Sequence, residues 1–374
     1  MPSKYVSKLK LIEQLSEDEK LTLAPVEQKF VFRANDYYLG LIDWDDENDP
    51  IRRLIIPHEK ELVEWGKLDA SDEQSNTVAP GVQHKYVNTV LLLCNDVCGA
   101  YCRYCFRKRL FMDDSDETTR DVSAGIQYIR EHEQVTDVLL TGGDPLLMTP
   151  KRLADILAEI YEIDHIRVIR MGSKIPAFDP ARLLTDKFLD VMDRYADAGK
   201  KIYLMAHFDH PRELTSLARE AIAELLKRGV AAVNQCPLIR GVNDSSDVLA
   251  ELYEELAGMG CRQYYLFQGR PTEGNMPYEL PITTGWHLHQ EAVKQVSGLG
   301  RTARFSMSHD TGKIEIVGVD DNHIYLRYHQ AKDPAQQGQF MVAERDDNAY
   351  WFDQLNLISA CDSIQLESQE TVLS

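Results

Sequence analysis

The stretch that decides the fold is LLLCNDVCGAYCRYCFRKRLFM, residues 91–112. An apolar run leads into Cys98, Cys102 and Cys105, which have the spacing C-x3-C-x2-C, and a basic segment follows them directly. Thiolates are soft ligands that select zinc or iron–sulfur clusters, and a structural zinc ion usually takes four ligands from the protein. Three cysteines on one tight loop instead suit three irons of a [4Fe–4S] cluster and leave the fourth iron open. We expect Cys94, inside the apolar run, to be a core thiol.

The composition limits the class of partner. The 374 residues include 60 acidic and 41 basic side chains, which give a net charge of −19. Because nucleic-acid binding relies on basic surface, this balance disfavours a nucleic-acid partner and favours a small-molecule substrate. The start lacks an apolar signal core, and no apolar run reaches the ~20 residues of a membrane span, so we predict a cytoplasmic protein with no membrane partner. Seven cysteines with three of them clustered indicate metal binding, not a disulfide framework.

The hydrophobic pattern divides the chain into three parts. Residues 1–80 are polar and charged, with a helix start at Ser16, and we predict a helical N-terminal extension. Residues 81–300 alternate strand and helix signals, and residues 301–374 turn to short strands and a tail. The strands predicted in the middle part are 86–94, 136–140, 166–170, 202–206, 230–234 and 263–267. The helices predicted between and after them are 121–132, 151–160, 180–196, 213–228, 246–259 and 286–297.

Strands that alternate with helices favour parallel pairing through right-handed crossovers. The unusual residues decide between a doubly wound sheet and a barrel, because they follow the carboxyl ends of the strands, where barrel enzymes build their sites. The sequence therefore predicts an α/β fold with a partial (β/α)6 barrel that is open on one side. Besides the cysteine loop, the segments at these strand ends are 141–145 (TGGDP), 171–174, 207–211, Gln235 and 268–271.

Two of these segments carry groups that could bind a small molecule. Gly142 and Gly143 expose backbone groups beside the Asp144 carboxylate, which suits the amino group of an amino-acid moiety. A Gly-Gly pair is equally typical of a plain tight turn. His207 and His210 have no third ligand at metal spacing, so we expect hydrogen bonds to a ligand from them, with a structural role as the alternative.

A guanidinium stands beside the cysteines. Arg107 lies two residues after Cys105, and its planar fork fits a carboxylate. For Lys108 and Arg109, which follow, solvation at the surface is the plainer interpretation.

Several segments in a fixed order resemble the radical S-adenosylmethionine (SAM) superfamily, and within it the lysine 2,3-aminomutase family. The resemblance rests on the cysteine spacing, on Tyr104 before the third cysteine, and on the GGD of residues 142–144 after the next strand. It covers about residues 84–244 and continues more weakly to about residue 318. The segments that carry it are HKYVNTVLLL, CGAYCRYCFRKR, TDVLLTGGDPLL, IRMGSKIP, AHFDHPREL and NQCPLIRGVND.

The resemblance implies a [4Fe–4S] cluster on Cys98, Cys102 and Cys105, with SAM chelating the open iron. A one-electron donor such as flavodoxin or ferredoxin would drive cleavage of SAM to a 5′-deoxyadenosyl radical, which abstracts hydrogen from a small-molecule amino-acid substrate. The residues that the resemblance assigns to the SAM site are Gly142, Gly143, Asp144, His207 and Gln235.

The resemblance also implies pyridoxal 5′-phosphate (PLP), which holds the substrate amine as a Schiff base while the amino group migrates. The segment 310–313, Asp-Thr-Gly-Lys, matches the family's Gly-Lys pair, so Lys313 is the candidate PLP lysine, with a surface lysine as the plain alternative. Lys85 and Tyr86 match the PLP-phosphate site, and Arg107 matches the arginine that binds the substrate carboxylate.

The substrate positions depart from the family pattern. Lysine-specific members hold the substrate's side-chain amine with two aspartates, and Gln268 and Ser306 stand at the matching positions here. A positive side chain would then lack carboxylate partners, and Arg270 adds positive charge, so we expect a substrate other than lysine, such as glutamine or glutamate. Thr89 stands where a second arginine for the PLP phosphate is usual.

The cysteines of a structural zinc site are also missing from the pattern. Ser245 stands where some members have a cysteine, and Cys361 is alone near the C-terminus. We therefore expect no structural zinc. That zinc links subunits in those members. Without it, the family pattern gives weaker support for a homo-oligomer here.

Together these features predict a PLP-dependent amino-acid 2,3-aminomutase, an isomerase that converts an α-amino acid into a β-amino acid. One alternative is a radical SAM enzyme without PLP that modifies a protein or another substrate, motivated by Thr89, Gln268 and Ser306. The other alternative is a non-enzymatic module whose thiolates hold a structural metal.

Overall fold

One continuous sheet organises the part of the chain that the computed structural model describes, residues 3–112 and 117–361. A separate pair of short strands, β1 and β2, lies in the N-terminal segment. The strands are β1 Tyr5–Val6, β2 Ala34–Asn35, β3 Thr77–Ala79, β4 Val82–Tyr86, β5 Thr89–Asn95, β6 Asp137–Gly142, β7 Val168–Ser173, β8 Lys201–Ala206, β9 Ala231–Pro237, β10 Gln263–Phe267, β11 Arg304–His309, β12 Gly312–Val319, β13 His323–Ala331, β14 Phe340–Glu344 and β15 Leu357–Cys361.

The α-helices of the described residues alternate with the central strands, and short 3-10 turns lie between them. The helices are α1 Glu17–Lys29, α2 Asp36–Leu39, α3 Pro50–Ile55, α4 Ser123–Glu131, α5 Pro150–Tyr161, α6 Ile175–Phe178, α7 Asp186–Tyr195, α8 Ser216–Lys227, α9 Ser246–Gly258 and α10 Ile282–Gln295. No helix among these is long and apolar enough to cross a membrane.

The strands of the large sheet lie side by side in chain order, from β3 to β15. Strands β5 to β11 are parallel, and the strands that flank them on both sides are antiparallel. The α/β class predicted from the alternating pattern is therefore confirmed. Leu92, Leu140, Met171 and Leu204 are register partners on β5 to β8 and are fully buried, so they form one row of the core.

The parallel set contains seven strands, whereas the sequence pattern predicted six. The additional strand is β11, which pairs parallel with β10 through Phe267 and Ser306. Its short alternating pattern resembled the antiparallel strands after it, but helix α10 precedes it and returns the chain to the start of the sheet. The sheet thus includes strands from before residue 80 and from after residue 300, which were the predicted boundaries. The division of the chain into three parts stays a prediction.

Several predicted boundaries differ because tight turns interrupt the hydrophobic pattern. Tyr86 ends β4, and β5 begins three residues later, so the predicted strand 86–94 is the end of one strand and most of the next. The predicted helix 180–196 is a 3-10 turn followed by α7, which begins at Asp186. Strand β9 continues to Pro237, so Gln235 lies inside the strand.

The sheet curves so strongly that its two sides meet. Strands β4 and β11 are seven positions apart in the strand order, which corresponds to about 34 Å in a flat sheet. The Lys85 ammonium on β4 nevertheless donates a hydrogen bond to the His309 carbonyl on β11. The Ser71 hydroxyl donates to the Ser308 carbonyl at 2.9 Å. The carboxyl ends of the parallel strands therefore surround one cavity.

The N-terminal segment holds the cysteine loop in place. Helix α1 begins at the predicted position, where the Ser16 hydroxyl and the Glu19 carboxylate form a capping box. The backbone N–H of Arg103, inside the cysteine loop, donates to the Leu54 carbonyl at 2.9 Å. The Arg103 guanidinium also forms two hydrogen bonds to the Glu61 carboxylate, at 3.0 and 2.6 Å. Both of these side chains are at most 2% exposed.

We predict that Glu61→Ala destabilises the protein strongly. Removing the carboxylate leaves the buried Arg103 charge without its partner, which costs about 3–5 kcal/mol. Chemical denaturation measures the change in the free energy of unfolding. The control is Asp155→Ala, which breaks an exposed pair with Lys151 and should change little. Equal stability of the two variants would contradict the prediction.

Candidate active site

A cavity of about 330 Å³ lies at the carboxyl ends of the parallel strands. It collects side chains from β4 to β13 and from the loops after the strands. Of the residues predicted from the sequence, His210 and Ser306 are outside its lining. The predicted residues that line it are Lys85, Tyr86, Cys98, Cys102, Cys105, Arg107, Gly142, Gly143, Asp144, His207, Gln235, Gln268, Arg270 and Lys313.

The three cysteines of the loop after β5 face this cavity together. Burial raises the pKa of each thiol, and for Cys98 the nearby Asp144, Cys105 and Cys102 raise it further. The backbone N–H of Arg107 donates to Cys105 Sγ at 3.4 Å. Such a set of thiols fits a cluster, which spreads its ligands over separate irons. Across residues 3–112 and 117–361, no three Cys, His, Asp or Glu side chains converge on a position for a single metal ion.

Cys94 lies apart from the cavity. Its side chain is fully buried, and Sγ contacts the Thr141 carbonyl at 3.7 Å. Burial raises the pKa of this thiol to about 12. The prediction of a core thiol is confirmed by this position.

The glycines after β6 allow a close approach to the cysteine loop. A Cβ atom on Gly143 would lie 2.4 Å from the Val97 carbonyl oxygen, and one on Gly142, which has φ +113°, would lie 2.4 Å from the Asn95 carbonyl oxygen. The Gly143 N–H donates to the Asn95 carbonyl at 2.7 Å. Only glycine permits this contact, which fixes residues 142–143 against the loop that carries the cysteines.

Asp144 is buried and ties two loops together. Its carboxylate accepts from the Ser173 hydroxyl at 2.8 Å, from the Lys174 N–H at 2.8 Å and from the Leu146 N–H at 2.9 Å. Burial raises the pKa of this carboxyl to about 6, against the opposing effect of these hydrogen bonds. Asp144 therefore supports the loop after β6 as well as lining the cavity.

His207 belongs to a buried polar network. Its Nε2 lies 2.9 Å from the Asp209 carboxylate, which also accepts from the Lys174 ammonium at 2.6 Å and from the Tyr104 hydroxyl. The ring of His207 is thus held at the cavity wall by Asp209. His210 lies outside the cavity lining, and burial lowers its pKa to about 4.

Two ammonium groups share the side of the cavity formed by β4 and β12. Lys313 Nζ lies 4.7 Å from the ring centre of Tyr265 and 5.5 Å from that of Phe267. Burial and the nearby Arg170, Arg270 and Lys85 lower its pKa to about 7. Burial and Arg270 lower the pKa of Lys85 to about 8.

Sequence reasoning missed Arg170. It lies inside β7, lines the cavity and pairs with Asp137 on β6 at 2.8 Å. The signal for it was a charged residue within the apolar run IRVIRM, where a buried strand needs a partner for that charge.

Sequence reasoning also missed two partners of Arg107. The guanidinium donates from Nε and Nη2 to the Glu73 carboxylate at 3.0 and 3.3 Å, and from Nη1 to the Thr141 hydroxyl at 2.9 Å. Arg270 donates to the same Glu73 carboxylate at 3.1 Å and stacks on the Phe106 ring at 3.7 Å. No local pattern marks Glu73, because it lies 34 residues before Arg107 in a polar segment.

Gln268 and Ser306, which stand where lysine-specific members have two aspartates, lie in different surroundings. Gln268 lines the cavity and donates to the Leu280 carbonyl at 2.6 Å. Ser306 is fully buried, and Ser308, two residues further along β11, lines the cavity. Glu279 is a further lining residue that the sequence did not indicate, and burial holds the pKa of its carboxyl well above the usual range.

A parallel α/β sheet with three cysteines at the carboxyl end of its first parallel strand defines the class of protein. The model of the Radical SAM superfamily matches residues 93–253. Within that superfamily, the chain belongs to the lysine 2,3-aminomutase family. The recognition made from the sequence is confirmed.

Curated relatives show this membership over most of the chain. A protein of Aquifex aeolicus (strain VF5), “Putative L-lysine 2,3-aminomutase”, is 51% identical over 352 residues, which are 94% of each chain. L-lysine 2,3-aminomutase of Clostridium subterminale is 36% identical, over 78% of this chain and 70% of the relative. Glutamate 2,3-aminomutase of Clostridioides difficile (strain 630) is 32% identical, over 79% and 69%.

Family membership makes this chain a radical SAM enzyme of the aminomutase type. It implies a [4Fe–4S] cluster, SAM and an external electron donor. The three cysteines that face the cavity fit the cluster, and Gly142 and Gly143 line the same cavity.

We predict that Gly143→Ala lowers the iron content of the protein. The added Cβ would press on the Val97 carbonyl, one residue before Cys98, and displace the loop at a cost of about 1–3 kcal/mol. Iron and sulfide per chain are measured after anaerobic reconstitution. The control is Gly258→Ala, where the added Cβ meets nothing within 4 Å. Full iron content in Gly143→Ala would show that the loop tolerates the methyl group.

Proposed function

We propose that the chain is a PLP-dependent 2,3-aminomutase for an α-amino acid with a neutral or acidic side chain. The observation that carries the proposal is that Lys313 reaches the same cavity as Cys98, Cys102 and Cys105. SAM cleaved at the cluster supplies a radical that abstracts hydrogen, and PLP supplies the carrier of the migrating amine. The reaction is an isomerisation, because the amino group moves from C2 to C3 and one hydrogen atom moves from C3 to C2.

Lys313 has the properties of a lysine that attacks an aldehyde. A nucleophilic amine must be unprotonated, and a pKa of about 7 leaves a large fraction of Lys313 in that form near neutral pH. The aromatic rings of Tyr265 and Phe267 bound the space on one side of Nζ. Asp137 acts on the pKa of Lys313 in the opposite direction, but burial and the nearby cations outweigh it.

The positive charge around Lys313 supports a phosphate at this end of the cavity. Burial lowers the pKa of both Lys85 and Lys313, and repulsion from Arg270 lowers both further. Lys85 also repels the charge on Lys313. A dianionic phosphate would relieve this repulsion and restore the charge on Lys85. Tyr86, beside Lys85, adds a hydroxyl whose pKa burial raises, so it remains a donor.

The charges near Gln268 favour a neutral or acidic side chain. Arg270 lines the cavity next to Gln268 with a permanent positive charge. Glu279 lies close to the same backbone, and burial raises the pKa of its carboxyl well above the usual range, which favours the uncharged form. A lysine side chain would therefore meet a guanidinium and two uncharged groups, which do not compensate its desolvation.

The second candidate is a radical SAM enzyme that works without PLP. Thr89 favours it, because Thr89 lines the cavity where a second arginine for the phosphate is usual in the family, and its hydroxyl donates to Asn88 at 3.3 Å. The family assignment holds for both candidates, and cofactor and product analysis separates them.

An anaerobic screen tests the proposed reaction. Reconstituted protein with SAM, PLP and dithionite is given L-glutamate, L-glutamine or L-lysine, and β-amino acids are measured by mass spectrometry. We expect a β-product from L-glutamate or L-glutamine at a higher rate than from L-lysine. Faster conversion of L-lysine would refute the substrate class. Formation of 5′-deoxyadenosine without any β-product would favour the second candidate.

We predict that Lys313 is the residue that captures PLP. Borohydride should fix PLP to the peptide that contains Lys313, and Lys313→Ala should abolish this bond. The rate of capture should rise through about pH 7 and level off above it, since the folded-state pKa is about 7. Peptide mass spectrometry measures both results.

The control for this prediction is Lys294→Ala, which removes an exposed lysine on α10. It should leave the capture unchanged. Covalent PLP on Lys313→Ala, or a capture rate that continues to climb towards pH 10 as for an ordinary lysine, would remove Lys313 from this role.

A further inference from the structure

A single carboxylate, that of Glu73, is shared by three arginines at the edge of the cavity. It accepts from Arg107 through Nε and Nη2, from Arg270 at 3.1 Å and from Arg109 at 3.2 Å. Only 13% of the Glu73 side chain is exposed. The arginines hold the pKa of this carboxyl well below its usual range despite burial, so Glu73 is charged.

The contacts of Arg107 leave one edge of its guanidinium free. A guanidinium has five N–H groups. Glu73 takes the side edge, formed by Nε and Nη2, and the Thr141 hydroxyl takes one N–H of Nη1. Among the described residues, one N–H on Nη1 and one on Nη2 have no acceptor, and these groups can donate to the oxygens of a second carboxylate. Arg107 lines the cavity with this capacity unused.

Arg109 shows the contrast. Its guanidinium is held by Glu117 at 2.7 and 2.9 Å as well as by Glu73, and it lies outside the cavity lining. Its contacts are therefore structural. Glu73, Arg107 and Arg270 are the members of this cluster that line the cavity.

The segment that carries Glu73 is fixed on both sides. We call residues 67–76 the strap. The Lys67 N–H donates to the Pro271 carbonyl at 2.9 Å, and Ser71 bonds to Ser308 on β11. The Glu73 N–H is capped by the Asp69 carboxylate at 2.9 Å. Asp72, just before Glu73, has φ +46°, a conformation that persists only where surrounding contacts hold it.

The charge of Glu73 also allows the two arginines to stand together. Arg107 and Arg270 are each 13% exposed or less at the side chain, so their like charges are poorly screened. Glu73 bridges them with one negative charge, which leaves one positive charge in excess. A substrate carboxylate would balance this excess.

We infer that Glu73 is a positioning residue, which holds Arg107 by its side edge and presents the free end of the guanidinium to the α-carboxylate of the substrate. The inference rests on the proposed function, in which Arg107 binds that carboxylate. The Thr141 contact links Arg107 to the loop of Gly142 and Gly143, which packs against the cysteine loop. The position of the substrate carboxylate is therefore tied to the position of the cysteines.

Binding of an acid and of its amide tests the inference. Anaerobic holoenzyme without SAM, which does not turn over, is titrated calorimetrically with L-glutamine and with L-glutaminamide. Wild-type protein should bind the acid about tenfold more tightly or better, the effect of one charge-assisted pair. In Glu73→Gln the acid and the amide should bind equally, whereas affinity for the amide should stay as in wild type.

The control is Glu117→Gln. Glu117 accepts from Arg109 and from Gln83 and contacts neither Arg107 nor Glu73, so this variant should keep the preference for the acid. If Glu73→Gln folds poorly, Thr141→Val removes the other contact of Arg107 and should reduce the preference in part. A crystal structure of Glu73→Gln should show Nη1 of Arg107 away from Thr141.

The outcomes separate the two claims. Wild-type protein that does not prefer the acid would refute the carboxylate anchor in the proposed function. Wild-type protein that prefers the acid, together with a Glu73→Gln variant that prefers it equally and keeps Arg107 on Thr141, would overturn the positioning role alone.

Discussion

The curvature of the sheet is the constraint on which the rest of the structure depends. Strands β4 and β11 belong to distant parts of one sheet, yet Lys85 reaches the His309 carbonyl across the gap between them. This closure places Lys313, on the strand after β11, in the same cavity as the cysteine loop after β5. Without this closure, the cysteines and Lys313, the proposed PLP lysine, would not face a common cavity.

The N-terminal segment completes the site although it contains no recognisable motif. It holds the cysteine loop through the Arg103–Glu61 pair, and it supplies Glu73 to the arginines through the strap. Both contacts are ionic and buried, so each partner would carry a large desolvation cost without the other. The N-terminal segment is therefore a structural part of the site, in contact with both the cysteine loop and the arginines that line the cavity.

The charges in the cavity are unevenly distributed. Beside His207, two carboxylates share one ammonium group, because Lys174 pairs with both Asp209 and Glu213. Near Lys313 and Arg270, positive charge exceeds negative charge, and burial together with this excess lowers the pKa of Lys313 and of Lys85. An anionic cofactor and an anionic substrate both suit this half of the cavity, which is why the proposed chemistry combines them.

The sequence by itself determined the local features. The cysteine spacing, the Gly-Gly turn and the alternation of strands with helices all depend on residues close together in the chain, and the confirmed family membership rests on them. The tertiary structure decided the contacts over long separations: Glu73 with Arg107, Arg170 in the cavity, the parallel pairing of β11, and the burial of Ser306 away from the lining. The physical reason is that these contacts follow from the curvature of a sheet, which sums small twists over many strands and leaves no mark in any single segment.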